Sequence, residues 1–166
     1  MREATAIKKL DELLAELAPG KEWAVRGVVL WSTAGHKASQ VLNLWTGRAL
    51  LGIMGDMLHQ ETKFLGVIGV AKDDTLVLGK IGETSEPADQ DVLRAQVDPE
   101  PTLVAALRDV SAETGKGRTL VLRLARENRK LKLEFPALFM VGNGSLPEKI
   151  AAMCSAAHST TEGLPD

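Results

Sequence analysis

The chain contains one cysteine, no tyrosine and only 4% aromatic residues. A single cysteine excludes an intrachain disulfide and any zinc or iron-sulfur site built from several cysteines of one chain. The longest weakly polar stretch, residues 49–58, is interrupted by Gly52, Gly55 and Asp56 and is far shorter than the roughly 20 residues that a membrane span needs. The N-terminus has no apolar signal-peptide core. These absences predict a soluble, cytoplasmic protein that does not associate with a membrane.

The length and the fractions of hydrophobic and charged residues are typical of one globular domain. It has 166 residues, of which 45% are hydrophobic and 25% charged, which is enough for a core without disulfides. The expected organisation is a single α+β domain over residues 1–158, followed by a flexible C-terminal tail over residues 159–166. The formal net charge of −2 argues against bulk binding to nucleic acid.

Residues 118–135 show the clearest pattern in the chain: two runs with a large apolar residue at every second position. These residues are Leu120, Leu122 and Leu124 in the first run and Leu131, Leu133 and Phe135 in the second. A period of two predicts an antiparallel strand pair with one face buried. Arg123, Lys130 and Lys132 have the opposite parity and should make the other face basic.

Other segments predict further strands and helices. The predicted helices cover residues 4–18, ended by Pro19 and Gly20, residues 47–62, residues 88–95, residues 101–113 and a segment beginning at Ser145. The predicted hairpins cover residues 22–32 with 38–46 and residues 64–71 with 75–81, and a short strand covers residues 136–141. The predicted fold class is α+β. An antiparallel sheet of five to seven strands would be built from hairpins, with the N-terminal, middle and C-terminal amphipathic helices packed on one face.

Charge is unevenly distributed along the chain. Residues 118–134 hold six basic and two acidic residues, an excess of four positive charges, whereas residues 83–100 hold six acidic residues and one arginine, an excess of five negative charges. The acidic segment could cover the basic hairpin, or each could face solvent or a partner.

No catalytic, metal-binding or cofactor-binding motif is present. His36, His59 and His158 lie in no recognised arrangement, and Cys154 falls within a predicted apolar stripe, where a buried, unreactive thiol is expected. Residues 114–119 lack the glycine spacing of a phosphate-binding loop and stand between a helix and a strand, the reverse of the order such a loop requires. We therefore predict no catalytic residues, no metal and no cofactor, and an enzyme is the less favoured class.

Two function classes remain. The favoured one is a non-enzymatic protein-binding module of the adaptor, chaperone or immunity type, whose exposed basic sheet face holds another protein of acidic character. The predicted partner-binding residues are Arg123, Lys130, Lys132, Arg126 and Arg129. The layout resembles small bacterial α+β proteins of these types in topology alone, and homo-oligomerisation through a sheet edge or a helix stays open.

The alternative function is a small-molecule binding or sensing domain. Its pocket would lie near the tryptophans of the first hairpin, Trp31 and Trp45, and the glycine-rich second hairpin. Tryptophan is enriched at binding sites, but packing in the core against the first helix is the favoured explanation of these two residues.

Overall fold

The computed structural model describes residues 3–32, 63–84, 86–124, 126, 128–136 and 145–162. In chain order the elements are α1 (Glu3–Leu17), β1 (Trp23–Ser32), β2 (Lys63–Ala71), β3 (Thr75–Glu83), α2 (Asp89–Leu93), β4 (Leu103–Ala106), a 3-10 turn (Leu107–Asp109), β5 (Val110–Thr114), β6 (Thr119–Leu124), β7 (Arg129–Glu134) and α3 (Leu146–Glu162). The predicted helix over 47–62, the strands over 38–46 and 137–141, and Trp45, His36 and His59 lie outside the described residues.

The strands form one seven-stranded antiparallel sheet in the order β4-β3-β2-β1-β7-β6-β5. It consists of two meanders, β1 to β4 and β5 to β7, joined where β1 pairs with β7. This junction is short: Leu30 lies opposite Glu134, and Trp31 lies opposite Leu133. The α+β class predicted from the sequence is confirmed.

Two strand pairs predicted from local sequence are observed. β2 and β3 pair across the turn at residues 72–74, where Asp74 has a φ of 65° and the Asp73 Oδ1 accepts a hydrogen bond of 3.1 Å from the Thr75 amide. β6 and β7 pair with Leu120 opposite Leu133 and Leu122 opposite Leu131. The apolar parity of residues 118–135 is therefore the parity of the buried face.

The larger hydrophobic core lies between the two meanders and α3. β1 contributes Val29 and Trp31 to it, and α3 contributes Ile150 and Cys154. The β6–β7 pair contributes Leu120, Leu122, Leu124 and Leu133, and Phe135 follows β7 directly; all five are buried. Burial of each such side chain stabilises the fold by about 1.5–3 kcal/mol as an upper estimate.

The second core lies on the opposite face of the first meander. It contains Leu10 and Leu14 of α1 together with Val28 and Leu30 of β1. Alternate residues of a strand point to opposite faces, so α1 covers one face of β1 while α3 lies with Val29 and Trp31 on the other. The prediction that the helices pack on one face is wrong, because β1 and β2 are apolar on both faces and each face needs a cover.

The helix predicted over residues 101–113 is also wrong. This segment forms β4, the 3-10 turn and β5. Leu103 pairs with Leu78 of β3, and Val110 pairs with Leu124 of β6, so the backbone hydrogen bonds go to neighbouring strands. The 3-10 turn between these two short strands returns Leu107 to the core. As a result, the buried residues Leu103, Leu107 and Val110 are spaced three or four apart, as they would be on one face of a helix.

The acidic segment forms the short helix predicted over residues 88–95, observed as α2. Val92 is buried, whereas Asp91 is exposed and its Oδ2 accepts a hydrogen bond of 2.7 Å from the Ala88 amide. Val92, Ala95 and Val97 join the core beneath α1. The apolar side chains of this segment therefore anchor it on the α1 face of the sheet.

Candidate interaction surface

The candidate surface is the outward face of β6 and β7 together with the turn that joins them. Arg123, Lys130 and Lys132 are exposed and have the parity opposite to the buried leucines. Arg126 and Arg129, at the turn, are also exposed. We call these five residues the basic face. Arg123, Lys130 and Lys132 share the outward parity, whereas Arg129 begins β7 opposite the buried Leu124 and Arg126 lies in the turn.

Arg126 and Arg129, near the turn between β6 and β7, make different contacts with the rest of the protein. Asn128 has a φ of 47°, a left-handed conformation that asparagine adopts more readily than most residues. The Nε of Arg126 lies 3.7 Å from Oδ1 of Asp109, although the Arg126 side chain is 79% exposed. Nη1 of Arg129 donates to the Thr102 carbonyl at 3.5 Å. Both arginines are tethered by weak contacts at the surface.

The basic face includes a groove at its turn end. The groove has a volume of about 310 Å³ and is lined by Ser111, Arg123, Leu124, Asn128, Arg129 and Lys130. Three of these six side chains are cationic and none is acidic. Ser111 and Asn128 add neutral polar groups that can hydrogen-bond to an anion, so the groove is suited to a negatively charged group.

The cations of β6 and β7 have no described counter-ion. Within the parts of the chain that the structure describes, Arg123, Lys130 and Lys132 take part in no ion pair. Of the acidic residues that the described strands place on the same face, Glu134 is already bound by Lys63 at 2.6 Å, and Glu113 is separated from Lys132 by Val121. Arg123, Lys130 and Lys132 therefore keep their positive charges unpaired within the described portion of the chain, whereas Arg126 lies near Asp109.

Trp31, predicted as a ligand-binding residue, is buried in the larger core. Its ring lies 5.7 Å from that of Phe64, at an angle of 53°. Gly66 of β2 lies against its indole. A ligand-binding role for Trp31 and Trp45 stays a prediction.

Cys154 and His158 lie one turn apart on α3, and both line a groove of about 210 Å³ between this helix and β5. Burial raises the pKa of the Cys154 thiol to about 11, which disfavours the reactive thiolate. Nε2 of His158 lies 2.8 Å from the Val110 carbonyl oxygen and can donate to it in one tautomer. The described contacts thus give His158 a structural position, joining α3 to β5.

A second charged groove, of about 520 Å³, lies between α1 and the start of β1. Its charges are paired internally: Arg26 with Asp11 at 2.9 Å, Lys72 with Glu22 at 3.3 Å, and Lys21 with Asp73. Any ionic ligand would have to displace one of these partners. This distinguishes the groove from the basic face, where the strand cations are unpaired among the described residues.

Sequence reasoning identified the five cations of the basic face but missed Ser111 and Asn128. Ser111 was placed in a predicted helix, and only its pairing with Arg123 across β5 and β6 brings it to the groove. The sequence signal for Asn128 is the preference of asparagine for turns and for the left-handed conformation that the structure shows there.

Comparison of the chain with protein-family models, with curated proteins and with solved structures finds no match. Over the described ranges, no helix is both long enough and apolar enough to cross a membrane. In the same ranges, no group of three His, Cys, Asp or Glu side chains is arranged to hold a metal ion.

Proposed function

We propose that this protein is a non-enzymatic binding module that holds a protein partner of acidic character on the basic face. The observation that carries the proposal is the pairing of Arg123 with Lys130 directly across β6 and β7. Like charges in this arrangement destabilise a sheet. A bound carboxylate relieves the repulsion, so the arrangement favours binding at a cost in stability of the free protein.

The composition of the surface favours a protein partner over nucleic acid. The net charge of the chain is −2, and the same sheet face ends in the acidic residues Glu113 and Glu134. The uncharged residues of β6 on this face are Val121 and Thr119, which cannot stack on a base as an aromatic ring does. A mixed face of this kind matches a partner that has its own charge pattern, and it contributes more to specificity and association rate than to affinity.

The test is affinity capture from the source cell with three forms of the full chain. Arg123→Glu/Lys132→Glu reverses two charges of the basic face. Lys8→Glu/Arg94→Glu makes the same change in net charge at exposed positions on α1 and after α2, where no partner is proposed.

We expect wild type and the Lys8/Arg94 control to retain the same partner. Salt should release it progressively between about 0.05 and 0.5 M, because screening shortens the reach of exposed charges. The Arg123/Lys132 variant should lose the partner while keeping the same thermal unfolding midpoint within a few degrees. Capture that is insensitive to both salt and this variant would remove the basic face from the function.

A further inference from the structure

The charged residues on the outer face of β5, β6 and β7 are arranged in rows across the strands. Ser111, Arg123 and Lys130 form the row nearest the β6–β7 turn, because Ser111 pairs with Arg123 and Arg123 pairs with Lys130. Neighbouring strands are about 4.8 Å apart. The first row therefore brings one hydroxyl and two cations together at the groove.

The next row consists of Glu113, Val121 and Lys132, since Glu113 pairs with Val121 and Val121 pairs with Lys132. Two residues along a strand correspond to about 6.8 Å. Lys132 therefore stands about 6.8 Å from Lys130 on the same face, with no cation opposite it. The half-buried Val121 lies between Lys132 and Glu113 in this row.

The third row reverses the sign of the charge. Thr119 pairs with Glu134, whose carboxylate is held by Lys63 at 2.6 Å. Along β7 the face therefore changes from two lysines to one glutamate. The stretch that attracts negative charge is two rows long.

We propose that the basic face binds an extended acidic segment of the partner in which two carboxylates stand at alternate positions. The proposal rests on the proposed function and specifies its partner. Side chains at alternate positions of an extended chain lie on one side, about 6.8 Å apart, which is the spacing of Lys130 and Lys132. One carboxylate enters the groove at Arg123 and Lys130, and the other contacts Lys132.

This geometry distinguishes an extended peptide from a compact anion. A single phosphoryl group at the Arg123–Lys130 row supplies one anionic group, whereas two carboxylates about 6.8 Å apart supply one to each row. Two adjacent acidic residues of an extended chain point to opposite sides, so only one of them meets the face. A carboxylate at a third alternate position would approach Glu134, which limits the favourable match to two.

The test is an NMR titration of the full-length, ¹⁵N-labelled protein at low salt with two synthetic hexapeptides of identical composition. Each contains four serines and two glutamates, blocked at both ends. In one peptide the glutamates alternate with serine, and in the other they are adjacent. Inorganic phosphate is the third probe.

An exposed ion pair contributes up to about fivefold in affinity. We therefore expect the alternating peptide to bind about three- to fivefold more tightly than its isomer, with amide shifts confined to β6, β7 and their turn. Lys132→Gln should bring this ratio close to one, because it removes the contact that only the alternating peptide makes. Lys116→Gln, an exposed lysine in the preceding turn, should leave the ratio unchanged.

Three outcomes would overturn the inference: equal binding of the two isomers, a ratio that persists in Lys132→Gln, or phosphate that binds as tightly as the alternating peptide. The ratio is measured within each protein variant, so a general loss of folding does not imitate the expected result. If the isomers bind equally while partner capture still depends on Arg123 and Lys132, the proposed function stands and only the alternating geometry fails. Loss of that dependence removes the proposed function itself.

Discussion

Gly66 of β2 lies in contact with the indole of Trp31 on β1. A β-carbon on Gly66 would lie 2.3 Å from Cζ3 of Trp31 and 2.5 Å from the backbone oxygen of Gly79. Neither atom can move away easily. Trp31 is buried within the larger core, and the Gly79 oxygen belongs to the backbone of the adjacent strand β3. The absence of a side chain at position 66 allows β1, β2 and β3 to pack at this distance.

Gly66→Ala should therefore destabilise the fold. We expect a loss of about 1–3 kcal/mol in the free energy of unfolding, the range for forcing extra atoms into a packed core, measured by urea denaturation followed by tryptophan fluorescence. Gly82→Ala is the matched control, since a β-carbon there meets no atom within 4 Å. Equal stability of the two variants would contradict the close packing of Gly66 against Trp31.

Lys130→Glu should stabilise the free protein. The substitution replaces a like-charge pair opposite Arg123 with an opposite-charge pair, and such cross-strand pairs differ by roughly 0.2–1 kcal/mol. Urea denaturation at low salt should show the gain, and about 1 M salt should reduce it because both side chains are exposed. Lys116→Glu makes the same change in net charge away from the strand pair, and a gain of the same size there would assign the effect to net charge alone.

Cys154 should resist alkylation in the folded protein. The thiol is 2% exposed, and burial raises its pKa to about 11, so only about one molecule in a thousand carries the thiolate at pH 8. Iodoacetamide should modify the native protein slowly and the urea-unfolded protein rapidly. In Cys154→Ser/Ser155→Cys the thiol moves to the exposed neighbouring position on α3 and should react promptly without urea. Fast native modification of wild type would contradict the buried position.

Asp73 should become harder to deprotonate when Lys21 is removed. Its pKa is lowered, first by the hydrogen bond from the Lys21 side chain and then by Thr75. In Lys21→Met we expect the pKa to rise toward the ordinary aspartate range, measured by NMR titration of the carboxyl group. Lys72→Met, whose ammonium pairs with Glu22, should leave the Asp73 pKa in place.

The same pair gives a defined pH dependence. A carboxyl group whose pKa is lower in the folded state adds stability above its unfolded pKa and loses that contribution as pH falls through the folded value. The stability difference between wild type and Lys21→Met should thus be present near pH 6 and shrink as the pH drops below about 4. A difference that is constant over this range would show that the Asp73 carboxylate contributes nothing to it.

Local sequence patterns predicted the elements whose partner lies nearby in the chain. Leu120, Leu122 and Leu124 alternate with polar residues and face Leu131 and Leu133 across one turn, so the two strands and their shared face follow from period two alone. β2 and β3 follow from two apolar, β-branched runs on either side of one polar turn. The spacing of Leu10 and Leu14 similarly predicted α1, which ends at Leu17, just before Pro19 and Gly20.

The prediction failed where the partner is distant. Leu103, Leu107 and Val110 have helical spacing, yet they belong to two edge strands and a turn because β3 and β6 supply their backbone partners. The same limit applies to the interaction surface. Parity placed Arg123, Lys130 and Lys132 on one face, but the addition of Ser111 depends on the placement of β5.

The sequence by itself determined the α+β class, the buried and exposed faces of the β6–β7 pair, and the concentration of positive charge on the exposed face. These properties depend on the alternation of neighbouring residues, which the backbone geometry of a strand converts directly into two faces. Only the tertiary structure decided that α1 and α3 cover opposite faces, that residues 103–114 form two strands joined by a 3-10 turn, and that the acidic segment packs beneath α1. Each of these depends on backbone hydrogen bonds and apolar contacts between residues far apart in the chain, which local periodicity does not encode.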